Sequence, residues 1–595
     1  MKNHEVAKIL LEIGEYLDMQ SIAFKPRAYE KVAGVIDGLE EDVEQIYERG
    51  GLKALEEIPG VGVSIAEKIE EYLKTGRIKY YEELKKKTPV DLSTLTQVEG
   101  LGPKKIKKLY EKLGIKDLDD LEKAAKVHKI GSLEGFGLKS EENILQGIEF
   151  LRKSGGRFIL GFAMPAVKEI EERLRRLKEV KKVVVAGSIR RKKETIGDVD
   201  ILIVSMKPKP VMDYFTSMPE VINVYAKGDT KSAIKIKNGL DVDLRVVPEE
   251  SFGAALNYFT GSKDHNVSLR RKAMEKGYKL NEYGLYKIKN AKIKNQNDKS
   301  KIKKLEIQIA GKTEEDLYKA LGLDYIEPEL REMTGEIEAA YKHKLPKLIG
   351  YDDLKGDLQT QSNWTDGANS IEELAQAALK AGLEYIAITD HTKRLAMTHG
   401  LDEKKLRRQM AKIDKINSKF KIQNSKFKIL KGTECDILKD GSLDIDDKVL
   451  SQLDVVGASV HSYFNLPKEE QTERLVRAVK NPHVDILFHP TGRIINKRQA
   501  YEVDMDEIIN VAALTGTILE IDALPDRLDL KDEHVRKCVA KGVKLAIDSD
   551  AHSATHFAYL EYGIAQARRG WATREDIINT RPLEKMKSFL KNSER

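Results

Sequence analysis

Hydrophobic positions in residues 1–155 recur at the spacing of amphipathic helices, and short glycine-containing breaks separate the helical stretches. From residue 156 to about 250 the pattern changes to short, β-branched runs: VKKVVVAGS, DVDILIVS, SAIKIKN and DVDLRVV. Runs of this kind are typical of strands. Residues 251–280 return to a helical pattern. The chain therefore begins with a helical region that is followed by a region of mixed helix and strand.

The pattern from residue 348 onward alternates apolar strands with helical stretches. The strands are EYIAIT, LDVVGASV, VDILFH, GTILEIDA and GVKLAIDSD, and such a series predicts a parallel, barrel-like α/β domain. Two segments interrupt the patterns. Residues 287–304 hold eight lysines against one aspartate and predict a solvated loop, and residues 417–429 repeat NSKFKI in what we interpret as a helix-to-strand connection.

Composition narrows the class of protein. A length of 595 residues predicts several domains, and 41% hydrophobic residues suffice for buried cores. The net charge of +7 is a mild excess, and two cysteines argue against a disulfide framework. The N-terminus is an amphipathic pattern rather than a signal peptide, and no stretch approaches the ~18 apolar residues of a membrane span. We expect a cytoplasmic protein without a membrane partner.

Three hairpins with closely spaced glycines lie in the helical region. They are IPGVG within residues 56–73, VEGLGP within 98–110 and LEGFG within 133–145. Glycine lets a backbone approach a phosphate, and the following helix offers free N–H groups. One such turn is an ordinary connection, but three together favour binding to DNA phosphates without reading of sequence. The candidate DNA-binding residues are Gly60, Gly62, Gly100, Gly102, Lys104 and Lys105.

Pairs of carboxylates lie on two of the predicted strands. Asp198 and Asp200 share one face of their strand because side chains alternate, and Asp241 and Asp243 repeat the arrangement. The turn GSIRR at residues 187–191 precedes the first pair. Such pairs are compatible with a solvated strand face. Carboxylates beside a Gly-Ser turn and arginines favour phosphoryl transfer with two metal ions.

Together the motifs IPGVG, VEGLGP, GSIRR with GDVD, DVDLRVV, LNYFTGS and EKGYKLNEYG resemble those of family X DNA polymerases, the class that includes DNA polymerase beta. The resemblance extends from residue 1 to about 325. It implies an α+β nucleotidyltransferase palm with a helical thumb. It also implies that Asp198, Asp200 and Asp243 hold two Mg²⁺ or Mn²⁺ ions, with Asp241 a bystander.

The same resemblance implies residues for the incoming nucleotide and for a second activity. One set of residues would bind the triphosphate and the sugar of the nucleotide and the nascent base pair. It consists of Ser188, Arg191, Gly197, Tyr258, Phe259, Gly261, Asn266 and Arg270. Tyr258 would also discriminate against ribose. Lys68 aligns with the Schiff-base lysine of the family's deoxyribose-phosphate lyase domain. A lysine at this position is also an ordinary residue of a helix surface, so both interpretations stay open.

Residues 348–595 resemble the PHP (polymerase and histidinol phosphatase) domain of bacterial and archaeal family X polymerases. The resemblance implies metal ligands at Asp366, His391, Glu434, His461, His489, Asp550 and His552. The family's opening motif D-L-H-x-H here carries Gln359 and Gln361 in place of both histidines. The resemblance implies that the first metal keeps only Glu434 and Asp550. It implies complete sites for a second metal at Glu434, His461 and His489 and a third at Asp366, His391 and His552, with zinc or manganese.

The patterns and the two resemblances together imply six parts: 1–84 a helix-hairpin-helix lyase-like domain, 85–155 a helical DNA-binding subdomain with further hairpins, 156–250 the palm, 251–325 the thumb, 326–347 a linker and 348–595 a distorted TIM-like PHP barrel. We expect a monomeric, template-dependent polymerase that fills gaps in nicked or gapped DNA with deoxynucleoside triphosphates during repair, with an impaired 3′–5′ exonuclease. The alternative is a PHP phosphoesterase delivered to DNA by the polymerase half. A third, a non-catalytic DNA-binding scaffold, would leave the palm aspartates idle.

Overall fold

The computed structural model describes residues 2–20, 22, 25–37, 39, 41–96, 98, 101–153, 157–293, 301–422 and 426–591. Its N-terminal part consists of helices that share one apolar cluster, which extends from Val6 to Ile148. The periodicity of the sequence predicted these helices. They are α1 (Lys2–Met19), α2 (Lys25–Asp37), α3 (Val43–Glu56), α4 (Val63–Thr75), α5 (Lys79–Lys87), α6 (Leu92–Leu95), α7 (Pro103–Leu113), α8 (Leu118–Lys126) and α9 (Leu138–Lys153).

The next part is built on a five-stranded sheet in the order β2-β4-β7-β6-β5. Its elements are β1 (Phe158–Ile159), α10 (Leu160–Arg175), β2 (Lys182–Val185), α11 (Gly187–Arg190), β3 (Thr195–Ile196), β4 (Asp198–Val204), α12 (Pro208–Thr216), β5 (Val221–Lys227), β6 (Lys231–Ile236) and β7 (Asp241–Val247). The central strands β4 and β7 run parallel and bury one face against α10 and α12. The edge strand β5 is largely exposed and was not predicted.

The part that follows combines helices with a three-stranded antiparallel sheet, β10-β9-β8. Its elements are α13 (Phe252–Thr260), α14 (Lys263–Glu275), β8 (Tyr278–Asn281), β9 (Gly284–Ile293), β10 (Lys301–Ala310), α15 (Glu314–Ala320) and α16 (Glu336–Tyr341). The prediction of a solvated loop at residues 287–304 was wrong for the parts that the structure describes. Residues 287–293 and 301–304 pair as strands, because ladder hydrogen bonds join backbones and need no apolar face.

The C-terminal part is a barrel of seven parallel strands, in the order β11 to β17. Its elements are β11 (Gly356–Thr360), α17 (Ile371–Lys380), β12 (Tyr385–Ile388), α18 (Glu403–Ile422), β13 (Lys428–Asp436), α19 (Asp447–Leu450), β14 (Val455–Ser459), α20 (Lys468–Lys480), β15 (Ile486–Leu487), α21 (Met505–Thr515), β16 (Ile518–Asp522), α22 (Asp532–Lys541), β17 (Leu545–Asp548), α23 (Leu560–Arg569) and α24 (Leu583–Lys587). A bridge between Thr360 and Ala551 joins the first strand to the last.

The NSKFKI repeat lies in the predicted connection between helix and strand. The first copy, residues 417–422, ends α18, and the second copy leads into β13. Asn417 of the first copy donates to the backbone oxygen of Ile429 at 2.8 Å and accepts from its nitrogen at 2.9 Å. The described parts of the two copies thus differ, since residues 417–422 are helical and Lys428 and Ile429 lie in β13. Residues 423–425 lie outside the described part.

The barrel packs closely against the two parts before it. Ile495, Leu528 and Tyr562 belong to the apolar cluster around the palm sheet, and Trp571 belongs to the cluster of the thumb. Gly161 in α10 permits a close approach, since a Cβ atom there would lie 2.6 Å from Pro525. Among the described helices, none combines the length and the low polarity that a membrane crossing requires.

Candidate active sites

A cavity of about 410 Å³ lies between the palm sheet and α13 and α14. Every residue that the sequence assigned to nucleotide binding lines this cavity, and so do Asp198 and Asp200. Arg157, Gly187 and Lys263 also line it and were not predicted. In the sequence, Gly187 could have been recognised from its place as the first residue of the GSIRR turn. The cavity thus brings together residues that are up to 113 positions apart in sequence (Arg157 to Arg270).

The palm carboxylates face one another across two neighbouring strands. In the parallel register of β4 and β7, Asp200 lies opposite Asp243 and Asp198 lies opposite Asp241. Burial, and then the charges of Asp198 and Asp243, raise the pKa of Asp200 to about 6. Divalent cations would relieve this repulsion. Among the described residues, however, the three carboxylates are not one of the groups whose ligand atoms all lie within 4.8 Å of one another, and Asp243 does not line the cavity. The side chain of Asp243 pairs with Lys231 at 3.4 Å, and that of Asp241 pairs with Lys235 at 3.2 Å.

The short helix α11 presents the GSIRR turn to the cavity. Gly187 has a φ of +64°, and a Cβ atom there would lie 2.6 Å from Asp200 Oδ2, so only glycine fits. The two arginines of the turn separate. Arg190 pairs with the buried Glu314 at 2.6 Å and also contacts Thr260, whereas Arg191 lines the cavity. The family resemblance implied that Arg191 binds the triphosphate. Arg190 has a different role, because it forms the ion pair with Glu314.

The floor of the cavity is aromatic. The rings of Tyr258 and Phe259 meet edge to face with centroids 5.1 Å apart, and the guanidinium of Arg245 lies 4.5 Å from the Phe259 ring. Asn266 donates to the backbone oxygen of Tyr258 at 2.7 Å and so fixes the end of α13. Arg270 lies exposed on α14 at the cavity rim. These positions suit a sugar beside Tyr258 and a base near Asn266 and Arg270.

Two predicted hairpin glycines begin helices. Gly62 is the N-cap of α4 and Gly102 is the N-cap of α7, and neither helix has a capping side chain. A Cβ atom at either glycine would meet no atom within 4 Å, so packing does not require glycine there. Gly60, with a φ of +83°, lies in the turn before α4. Gly100 lies outside the described residues.

The lysines of the hairpin region lie on the surface of the helical part. Lys104 is 3.5 Å from Asp18, and Lys105 lies over the ring of Phe136. Lys68 on α4 donates to Ser64 and lies 5.1 Å above the ring centre of Tyr80. Burial lowers the pKa of Lys68, which favours the neutral, nucleophilic amine. Its lyase role stays a prediction, which trapping of a Lys68–DNA adduct with borohydride would test.

The carboxyl ends of the barrel strands bring the predicted metal ligands together. In the described residues, two groups hold ligand atoms within 4.8 Å of one another: Asp366 with His391 and His552, and Glu434 with His391 and His461. His489 Nε2 lies 2.8 Å from Glu434 Oε1. The grouping differs from the predicted one because His391 faces both carboxylates. Asp550 lies 3.7 Å from His552.

The electrostatic field of this cluster suits cations. Burial alone would lower the pKa of His461, but Glu434 and Asp436 outweigh burial and raise the pKa to about 9. Asp436 lies 3.3 Å from His461 Nδ1 and was not predicted. A carboxylate that orients a ligating histidine in this way is common around metal sites. The residues of the third predicted site therefore fit a metal ion, and Glu434 and His461 of the second predicted site do so together with His391 rather than with His489.

The residues around the predicted first metal do not fit an ion. Gln361 Nε2 donates to Glu434 Oε2 at 2.8 Å, and the amide nitrogen of Gln359 fits a contact with Glu520 Oε2 at 3.2 Å. The remaining ligand, Asp550, lies 3.8 Å from the guanidinium of Arg527, which also lies 3.4 Å from Asp522. An amide is a poor substitute for imidazole, and these carboxylates already have N–H partners.

Comparison with known families agrees with this architecture. A helix-hairpin-helix domain matches residues 1–78, and a SAM-like helix-hairpin-helix tandem matches residues 92–149. The DNA polymerase beta palm matches residues 164–234, and the polymerase beta thumb matches residues 255–332. A PHP domain matches residues 357–549. This order of parts defines a polymerase-beta-type core with a PHP barrel at its C-terminal end.

A relative over the whole length specifies the family. The DNA polymerase/3′-5′ exonuclease PolX of Bacillus subtilis (strain 168) is 38% identical over 597 residues, which cover 100% of both chains. The chain therefore belongs to the PolX family of family X DNA polymerases. A probable phosphatase of Thermoanaerobacter sp. (strain X514) is 29% identical over 238 residues, 38% of this chain and 90% of that protein. A probable phosphatase of Caldanaerobacter subterraneus is 28% identical over 233 residues, 37% of this chain and 85% of that protein.

Proposed function

We propose that this protein is a template-dependent DNA polymerase that fills short gaps during DNA repair, and that its PHP domain hydrolyses phosphoesters poorly or not at all. The observation that carries the first part is the cavity where Asp198 and Asp200 meet the GSIRR turn and the aromatic floor. The similarity to a relative named as a DNA polymerase supports the same activity.

In this proposal Asp198, Asp200 and Asp243 hold two Mg²⁺ or Mn²⁺ ions. Ions bound there would supply the positive charge that activates a primer hydroxyl and stabilises the leaving pyrophosphate. The backbone of α11, with Ser188 and Arg191, binds the triphosphate. Tyr258 and Phe259 support the sugar, and Asn266 and Arg270 orient the base and the nascent pair. The polarised groups of the cavity thus need little rearrangement during reaction.

Gap preference follows from the helical region in front of the palm. Two duplex arms of a gapped substrate offer phosphates on both sides of the primer end, and the hairpins of α4 and α7 would hold one arm while the palm holds the other. Primer extension on a one-nucleotide gap should therefore exceed extension on an open template of the same sequence. Equal rates on the two substrates would contradict the gap-filling proposal, and no extension on either would contradict the polymerase.

The hairpins should supply affinity that is independent of sequence and sensitive to salt. Gly62→Val should weaken binding to gapped DNA by roughly tenfold, because the added side chain occupies open space where a phosphate would approach the start of α4. Titration of labelled DNA at several salt concentrations measures this effect. Gly76→Val at the far end of α4 is the control: it disturbs the same helix at its C-cap. Similar losses from both variants would show that the helix, rather than its N-terminus, matters.

The second part of the proposal rests on the contacts of Gln359 and Gln361. Both amides are fully buried among carboxylates where the family pattern has histidines. The alternative function is a PHP phosphoesterase that the polymerase half delivers to DNA. That function would require a metal ion at the first predicted site, where the residues do not fit one. We therefore propose up to two zinc or manganese ions in the barrel, at the sites that contain His391 and His461.

A further inference from the structure

Two residues that follow the palm in the chain, Thr260 and Glu332, hold the guanidinium of Arg191. Its Nε donates to Glu332 Oε1 at 2.9 Å, and Nη1 donates to the backbone oxygen of Thr260. Among the residues that the structure describes, Nη2 has no protein partner, and Arg191 lines the nucleotide cavity. The orientation of the group that would bind a phosphate oxygen thus depends on Glu332.

The carboxylate of Glu332 is shared with an arginine of the barrel. Arg569, the last residue of α23, donates from Nη1 to Glu332 Oε1 at 3.2 Å and to the backbone oxygen of Arg191 at 3.0 Å. Its Nη2 pairs with Asp532 at 2.5 Å. The Arg569 side chain is 3% exposed, and those of Arg191 and Glu332 are 14% and 19% exposed, so most of this network is buried.

This network determines how much of the positive charge of Arg191 is available to a phosphate in the cavity. Without Arg569, the carboxylate of Glu332 would have Arg191 as its principal partner, since Lys193 is 3.8 Å away. Glu332 could then draw the guanidinium into a two-pronged ion pair, which is the favoured geometry of arginine and carboxylate. The free nitrogen would turn away from the cavity, and its charge would be neutralised.

We infer that the barrel positions Arg191 for the triphosphate of the incoming nucleotide, through Arg569 and Glu332. Both are positioning residues, since neither lines the cavity. This inference rests on the proposed polymerase function and gives the barrel a role that needs no metal ion. It predicts a link between parts of the chain that are 378 residues apart.

The neighbouring Arg568 provides a matched control. It also lies on α23 and is also buried, and it donates to a carboxylate, Glu329, at 2.8 Å and to a backbone oxygen, that of Ile349, at 2.8 Å. Its contacts do not reach Arg191. Arg568→Met removes the ion pairs with Glu329 and Glu327. Arg569→Met likewise removes two ion pairs, those with Glu332 and Asp532, and only this second variant disturbs the nucleotide cavity.

The test measures nucleotide binding directly on the full chain. Each variant is mixed with gapped DNA whose primer lacks a 3′ hydroxyl, and the complementary dNTP is titrated in the presence of Ca²⁺. Arg569→Met should raise the Kd of the dNTP about tenfold, and Glu332→Gln should do the same. Combining both changes should add little, because they interrupt one network. Arg568→Met should stay within twofold, and DNA affinity should stay unchanged in all variants.

These measurements distinguish a role of Arg569 in positioning Arg191 from a role in stabilising the fold. Melting temperatures of the Arg568 and Arg569 variants should fall by similar amounts. If dNTP affinity falls equally in both variants, or follows the melting temperature, the barrel only stabilises the protein and the inference is overturned. If the unmodified protein binds dNTP but the Arg569→Met protein binds it equally well, the inference fails while the proposed polymerase stands. Absence of dNTP binding by the unmodified protein would overturn both.

Discussion

Replacing Asp243 with alanine is expected to lower the rate of primer extension by about three orders of magnitude or more, whereas Asp241→Ala should retain most of the activity. Asp243 lies opposite Asp200 in the β4–β7 register, so its loss removes one charge from the cluster that binds the cations. Asp241 lies opposite Asp198 and pairs with Lys235, at the strand start. Single-turnover extension on gapped DNA at saturating dNTP measures the difference.

The pair is a matched control for the removal of charge. Both aspartates lie on β7, on the same face, and each contacts one lysine of β6. A general loss of negative potential would therefore affect both variants to the same degree. Equal losses from Asp241→Ala and Asp243→Ala would show that the third ligand is assigned wrongly.

The double change Gln359→His and Gln361→His is expected to increase both metal content and 3′–5′ hydrolysis. Two imidazoles would meet Glu434 and Asp550, the carboxylates that remain from the first metal site. Metal analysis should find about three ions in the barrel of the variant and about two in the barrel of the unmodified protein, apart from those of the palm. Hydrolysis should rise by at least tenfold, and Arg527 beside Asp550 limits how complete the gain is.

Two further variants test whether this gain arises in the barrel. Adding His461→Ala to the double variant should abolish the gain, because His461 contacts Glu434 at 3.1 Å. Adding Asp243→Ala should leave the gain intact, since the palm is not involved. A double variant that binds no additional metal would show that the surrounding contacts, and not the two histidines alone, exclude the ion.

Local pattern predicted the parts of each site that neighbouring residues create. Alternation along a strand placed Asp198 and Asp200 on one face, and the GSIRR turn indicated a phosphate site. Pattern could not supply the register between strands that places Asp200 opposite Asp243, and only the family resemblance implied that Asp243 joins the other two aspartates. The local pattern also could not show that Arg190 and Arg191 have different roles. Those roles depend on Glu314 and Glu332, which are more than 120 residues away in the sequence.

The residues that the sequence did not reveal act through distant partners. Arg157 and Lys263 are single basic residues without a motif, and Arg569 reaches Arg191 only because α23 packs behind the palm. The lysine-rich segment was interpreted wrongly for a related reason: its described parts, residues 287–293 and 301–304, pair with each other through their backbones. The pattern of side chains along the sequence reports burial, and neither pairing between backbones nor a remote ion pair leaves a periodic signal.

We propose that the palm is active while the barrel has lost its hydrolytic site. The most direct measurement follows one 5′-labelled primer in a one-nucleotide gap, with Mn²⁺, in the presence and in the absence of the complementary dNTP. We expect a primer lengthened by one nucleotide when dNTP is present and a primer of unchanged length when it is absent. Rapid shortening of the primer without dNTP, abolished by His461→Ala, would show that the barrel is an active exonuclease.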